Sequence, residues 1–318
     1  MQTVARALIG VGGVALGLLA AQSGFAQEAA PSVKWGGYVQ ARESLRPHEG
    51  LRMNVANARL VADVRLDSTF TLRIAPEVAA TGGSGPAAVQ MRDAYVQATR
   101  RRWSARAGQF KTPQSRELLM SDEDIETPDR SAIIGALTPG RDLGVQLAYA
   151  APDRKWDVAA GVFNGEGQNV SQNRDSTVLF AGRATARPAG GIALGATGAA
   201  FGSDSTRYGA DVELRAHGGW LRAEYIAQEV DGRERNDEGW YALAGWKVAR
   251  TWSVVARWEQ LDRPARSAES SRLRASTIGL LWELPSKRVR LQLDRIDRRT
   301  GQDPAESHQW MAQVQGRF

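Results

Sequence analysis

RDLGVQLAYA, Arg141 to Ala150, changes chemistry at every step. Leu143, Val145, Leu147 and Tyr149 share one face of an extended chain, and Asp142, Gly144, Gln146 and Ala148 share the other. A period of two is the signature of a β-strand, whose successive side chains point to opposite sides. The pattern recurs along the chain. KWDVAAGVF sets Trp156, Val158, Ala160 and Val162 against Asp157, Ala159, Gly161 and Phe163, and DVELRA sets Val212, Leu214 and Ala216 against Asp211, Glu213 and Arg215. WLRAEYIA sets Leu221, Ala223 and Tyr225 against Arg222 and Glu224, and RVRLQLDR sets Val289, Leu291 and Leu293 against Arg288, Arg290, Gln292 and Asp294. Alternation of this kind suits a soluble sandwich as well as a membrane barrel.

The connections separate the two. About sixteen candidate strands of roughly the 9–11 residues that cross a bilayer can be read along the chain, from 33–42 and 54–66 through 176–187 to 307–318. Short turns at Asp67, Arg101, APDR (151–154), Pro188 to Gly190, His217-Gly218 and LPSK (284–287) take turns with longer polar stretches. The longer ones are SLRPHEG (44–50), TGGSGPA (81–87), EGQNVSQNRD (166–175), GSDS (202–205), DGRERND (231–237), RPARSAES (263–270) and RRTGQDPAE (298–306). Short turns at one end and long loops at the other mark an outer-membrane barrel, and an even strand count returns both termini to the short-turn side. The fold class is therefore all-β, a closed transmembrane antiparallel barrel.

Residues 1–26 read as a cleavable export signal. Arg6 gives the positive end, LIGVGGVALGLLAA (8–21) the apolar stretch and Gly24-Phe25-Ala26 a small-x-small cleavage site, so that the barrel occupies residues 27–318. The competing reading is an N-terminal anchor, for which the apolar run is short. Cysteine is absent, which excludes a disulfide framework, a thiolate metal site and a lipidated terminus. No cofactor motif is found, and nothing points to nucleic acid.

Trp103, Trp156, Trp220 and Trp252 begin strands and Trp246 and Trp282 lie near strand ends, all beside short turns, where an aromatic girdle is expected. The chain closes on WMAQVQGRF, with Trp310, Ala312, Val314, Gly316 and Phe318 on one face. This terminus resembles the signal by which outer-membrane proteins are recognised by the barrel assembly machinery.

One connection is out of scale. Between the fifth and sixth strands, residues 111–140 hold the apolar clusters Leu118, Leu119, Met120 and Ile133, Ile134, Leu137 among many charges. Gly108 to Pro113, then Ser115, Glu117, Leu119 and Ser121, then Arg130-Ser131, and finally Pro139-Gly140-Arg141-Asp142-Leu143-Gly144 resemble the phosphate-selective porin O and P family. Weaker echoes are GVFNGEG (161–167), AEYI (223–226) and GWYA (239–242). The resemblance implies a sixteen-stranded porin, a third external loop folded into the barrel as a constriction, a homotrimer in outer-membrane lipid, and small anionic or polar solutes with phosphate among them. A surface lid is the other reading of so long a loop.

The formal charge of +6 comes almost wholly from arginine, since Lys34, Lys111, Lys155, Lys247 and Lys287 are the only lysines. A pore lined by one sign of charge concentrates the opposite ion. The alternation places Arg106, Arg183, Arg215, Arg222, Arg257, Arg288 and Arg290 on the lumen face, alongside the acids Asp93, Asp157, Asp211, Glu224 and Glu259. The long loop itself is acidic: Glu117, Asp122, Glu123, Asp124, Glu126 and Asp129 against Lys111, Arg116 and Arg130. Facing an arginine wall it would set up a transverse field, which suits polar solutes generally as much as phosphate. Two rival classes are an outer-membrane enzyme and a non-conducting structural barrel. Histidine occurs only at 48, 217 and 308, with no G-x-S-x-G elbow and no H-E-x-x-H.

Overall fold

The computed structural model describes residues 30–47, 49–79, 88–174, 176–202, 204–232, 236–263, 272–301 and 307–318. The expected export signal and His48 lie outside them. The strands are β1 (Ser32–Arg46), β2 (Gly50–Arg65), β3 (Phe70–Ala79), β4 (Ala88–Arg100), β5 (Trp103–Lys111), β6 (Arg141–Ala150), β7 (Trp156–Phe163) and β8 (Leu179–Ala186). They continue as β9 (Ile192–Phe201), β10 (Ser205–Ala216), β11 (Gly219–Val230), β12 (Asp237–Lys247), β13 (Trp252–Asp262), β14 (Arg272–Glu283), β15 (Val289–Thr300) and β16 (Ser307–Arg317).

Each strand pairs antiparallel with its sequence neighbour, and β1 pairs with β16 from Tyr38↔Arg317 to Leu45↔Trp310, which closes the barrel. Closure leaves no edge of unpaired N–H and C=O groups, a requirement in lipid, where water cannot satisfy them. Three boundaries differ from the sequence reading. β1 and β2 run on into SLRPHEG, where Leu45↔Leu51 and Arg46↔Gly50 still pair, so most of that expected loop is hairpin. β8 begins three residues after position 176, and β9 ends at Phe201 with β10 starting already at Ser205, so the expected longer stretch at 202–205 is short.

The outer face is apolar. Trp35, Trp103, Trp156, Trp246 and Trp252 stand exposed toward the short-turn end, and Trp240, Trp258 and Trp310 toward the other. Tyr149 packs on Trp103 and Trp156 at 4.8 and 5.3 Å, and Trp252 on Trp282 at 6.4 Å, continuing the belt. Trp220 departs from the expected girdle. It shares its strand face with the buried Arg222 and Glu224 and so points inward. Gly219 pairs with Trp246 and Trp220 with Gly245. A Cβ on Gly245 would lie 2.1 Å from the Trp220 ring, and one on Gly219 2.5 Å from Trp246. Each glycine is the floor of an indole, one inside the wall and one outside.

The inner face is polar: Gln40, Arg59, Glu77, Arg222, Glu224, Arg257, Glu259, Arg290, Gln313 and Gln315 are all buried there. Buried charge is tolerable only when paired or hydrogen-bonded. The partners come largely from one segment.

Candidate functional site

Residues 112–140 leave the β5–β6 hairpin and fold into the lumen. The excursion starts and ends at one place, since Lys111 pairs with Arg141 across the ladder and Thr112 N–H donates to Gly140 O at 3.0 Å. Two short helices form within it, α1 (Arg116–Leu119) and α2 (Ala132–Leu137). Ser115 caps α1 through its Oγ, which accepts from Leu118 N at 3.0 Å. The free first-turn N–H groups go to the wall. Arg116 N and Glu117 N donate to the Glu224 carboxylate at 3.2 and 3.3 Å, and Ala132 N donates to Glu259 Oε2 at 2.7 Å. A carboxylate at a helix start satisfies orphan donors and the positive end of the dipole together.

Leu118, Ile133, Ile134 and Leu137 bury themselves against Ile226, Tyr241, Leu243 and Leu261 of β11–β13, with Trp220 beside them. Burying a side chain of this size contributes roughly 1.5–3 kcal/mol, so four of them hold the segment firmly. Leu119, which the sequence groups with Leu118 in one apolar cluster, is 42 % exposed and faces a cavity. Its place on α1 turns it away from the wall that Leu118 meets.

Arginines from the barrel grip the remainder. Arg222 forms a two-pronged pair with Glu126 at 2.9 and 3.2 Å and also meets Glu213. Arg257 donates to Thr127 Oγ1 and Asp129 O, both at 2.8 Å, and Arg290 to the carbonyls of Glu123 and Ile125 at 2.8 and 3.0 Å. Arg183 donates to Gln114 O at 3.0 Å and pairs with Asp211, which also takes Arg116 at 2.5 Å. Planar guanidinium forks suit such bidentate work.

The expected transverse field is therefore largely absent, because the loop acids meet the wall cations in direct contact. Glu117 and Glu126 are buried, Asp129 pairs with Arg42 at 2.7 Å, and Asp124 meets Arg317 at 3.2 Å. Glu123 lies 3.9 Å from Arg317. Two residues placed on the lumen face by alternation lie at the barrel's short-turn end, away from the loop. Arg288 is exposed in the turn before β15, and Arg215, half exposed near the short-turn end of β10, pairs with Glu213 at 2.8 Å. Strand periodicity fixes a face but not a height, and both lie too near the barrel mouth to meet the loop.

Sequence reasoning missed several holders. Gln40 donates to Asp122 O at 3.2 Å, Gln315 to Glu123 O at 3.1 Å, and Arg42 to Pro128 O at 2.7 Å. Asp122 is the loop's most connected acid, joined to Arg59 and Arg130 at 2.6 Å each and to the Tyr38 hydroxyl at 3.3 Å. The inward positions of β1, β2 and β16 carried the available signal. Burial pushes the Asp122 carboxyl up, but Arg130, Arg59 and Lys111 outweigh it and hold it well below the usual carboxylate range. Burial keeps Glu117 above that range. A depressed carboxyl stabilises the fold above its unfolded pKa of ~3.9 and loses that contribution only as pH falls toward the folded value. The Asp122 latch thus holds through mild acidity.

The loop makes most of its contacts with β1, β2, β10–β13, β15 and β16; on the β3–β9 wall Lys111 and Arg183 reach it, and most of that wall is left open. Three cavities follow one another from the outer side of the loop down into that opening. The first, about 1070 Å³ toward the long loops, is lined by Arg42, Arg92, Arg130, Arg141 and Arg298 against Asp122, Asp129 and Glu259. The second, about 210 Å³, shares Arg141 with it and adds Arg59, Arg73, Arg106 and Lys111 against Asp93 and Glu123. The third, about 430 Å³, sets Arg106, Lys111, Arg116, Arg183 and Arg187 against Asp157 alone. Among the described residues there is no group of three or more metal-ligating side chains.

A barrel with one inward loop and a cationic opening can now be compared with known proteins. Residues 46–201 match the family of phosphate-selective porin O and P. That segment belongs to the porin O and P family. It takes in β2–β9, including the whole inward loop and the β3–β9 wall. No curated protein sequence matches the chain. Among solved structures, OmpT of Vibrio cholerae in trimer form is 13 % identical, with a TM-score of 0.67 and coverage of 91 % of this chain and 100 % of that one. An anion-selective porin from Comamonas acidovorans is 15 % identical, with a TM-score of 0.64 and the same coverages. The outer-membrane channel DcaP of Acinetobacter baumannii is 15 % identical, with a TM-score of 0.65, over 93 % of this chain and 100 % of that one. These likenesses show that the porin O and P segment sits in an outer-membrane porin fold.

Proposed function

We propose that the chain is an outer-membrane porin that passes small polar solutes and favours anions, along the β3–β9 wall beside the inward loop. The succession of three cavities, each with more cations than carboxylates, is the observation that carries this reading. In a low-dielectric wall such an excess raises the local anion concentration. Phosphate, named in the family's description, is one such anion. The long loops face outward and the short turns face the periplasm. Residues 1–26 act as the export signal and 27–318 as the barrel, and the OmpT trimer form supports a homotrimer. A channel rather than an enzyme is supported by the histidines: His217 lies in a tight turn, and His308 lies on the outer wall with its Nδ1 2.6 Å from Asp297.

Reversal potentials in a salt gradient across planar bilayers test the reading. The wild type is expected to favour chloride over potassium. Arg106→Gln, Lys111→Gln and Arg187→Gln together are expected to reduce that preference roughly severalfold. A wild-type preference for cations overturns the reading. Arg222 and Arg257 are left intact because they hold the loop.

Assembly gives a separate expectation. Phe318 N–H donates to Gly37 O at 3.1 Å, and a Cβ on Gly37 would meet the Phe318 ring at 3.0 Å, so the last residue seals the β1–β16 seam, with Trp310 on the same outer face. Phe318→Ala is expected to lower the yield of assembled barrel while single channels keep their conductance. Normal yield would make the terminus an ordinary strand end.

A further inference from the structure

The second and third cavities share three residues: Arg106, Lys111 and Leu119. They form a neck of two cations and one leucine. Arg106 donates Nε and Nη2 to the same acceptor, Gln97 Oε1, at 3.0 and 2.7 Å, and lies 4.3 Å over the Tyr95 ring and 5.1 Å from that of Phe110. The two ring centroids are themselves 5.8 Å apart, so both rings crowd one side of the guanidinium and leave its other side to an anion. Lys111 Nζ donates to Met120 O at 2.5 Å, which leaves two of its three donors free. Leu119 belongs to no hydrophobic cluster and is exposed among these charges. Pro113, Met120 and Ala159 continue the apolar surface below it, and Val61 and Phe110 above.

We propose that this neck selects organic monocarboxylates with an aromatic body over inorganic phosphate. The inference rests on the anion-porin reading and names its substrate class. A carboxylate carries both oxygens at one end, where Arg106 and Lys111 can donate, and leaves an apolar body for Leu119. Phosphate carries oxygens on all sides and turns one toward Leu119, where no donor replaces its water. The neighbouring cavity of about 430 Å³ has room for a single ring.

The test is block of chloride current through single channels by acetate, benzoate and inorganic phosphate at a mildly acidic pH where all three are monoanions. Benzoate is expected to block at about tenfold lower concentration than acetate or phosphate, a difference of about 1.4 kcal/mol. In Leu119→Ser that advantage is expected to vanish, while the preference for chloride over potassium stays as in the wild type and shows that the pore is intact. Equal block by benzoate and acetate in an anion-selective wild type overturns the inference and leaves the porin reading standing. Stronger block by phosphate than by benzoate also overturns it. If Leu119→Ser does not assemble, the three-anion comparison in the wild type still decides.

Discussion

Excision of residues 112–138, so that Lys111 joins Pro139, is expected to raise single-channel conductance severalfold and to weaken ion selectivity. A sixteen-stranded barrel otherwise encloses a wide aqueous channel, and in this chain one loop fills the side bounded by β10–β16 and β1–β2. The barrel should survive, because Lys111↔Arg141 and the ladder below it lie outside the excision. Arg42, Arg59, Arg222, Arg257 and Arg290 then lose loop partners but gain water, so the shortened protein is expected to unfold at a lower temperature without losing its strands. Equal conductance in the two proteins would place the loop outside the solute path.

Arg222→Ala should have the largest effect of any single wall substitution. The side chain is 1 % exposed and pairs with both Glu126 and Glu213. Its removal strands those carboxylates, and breaking a buried pair costs about 3–5 kcal/mol. The expected results are a clear fall in thermal unfolding temperature and a flickering open-channel current, as the 126–129 stretch loses its hold on β11. Arg222→Met with Glu126→Gln, which removes both charges, is expected to recover much of the stability. If Arg222→Ala gives quiet currents and unchanged unfolding, the arginine clamp is not what fixes the loop.

The strands were legible because a membrane barrel needs period-two alternation and alternating connection lengths, and both can be counted without knowing any contact. RDLGVQLAYA alone assigns its own inner and outer faces. Function was harder to read, for a physical reason. Periodicity names the residues that face the lumen but not what they meet there. Arg222 and Arg257 were read as pore lining, yet both are occupied by the loop, whereas Arg106 lines two of the cavities beside it. The +6 charge did not reveal how evenly the loop's acids cancel the wall around them, and only the fold leaves the β3–β9 side cationic. Trp220 and Leu119 failed for the same reason. Each is apolar where sequence rules expect lipid or core, and each instead serves the lumen, one beneath the loop and the other beside the path.

About half of the arginine clamp's bonds reach the loop through main-chain oxygens. Gln114, Glu123, Ile125, Pro128 and Asp129 all offer their carbonyls to arginines of the wall. A carbonyl is present whatever side chain is attached to it, so this part of the grip does not depend on the letters written there, unlike the pairs that Arg42, Arg59 and Arg222 make with Asp129, Asp122 and Glu126. Leu119, Ser121 and Met120 can therefore vary among descendants of this gene while the strap stays seated. Mutation can change what the channel admits without first solving the folding problem again, and diversity in solute taste would be expected to collect in a handful of loop codons rather than along the staves of the barrel.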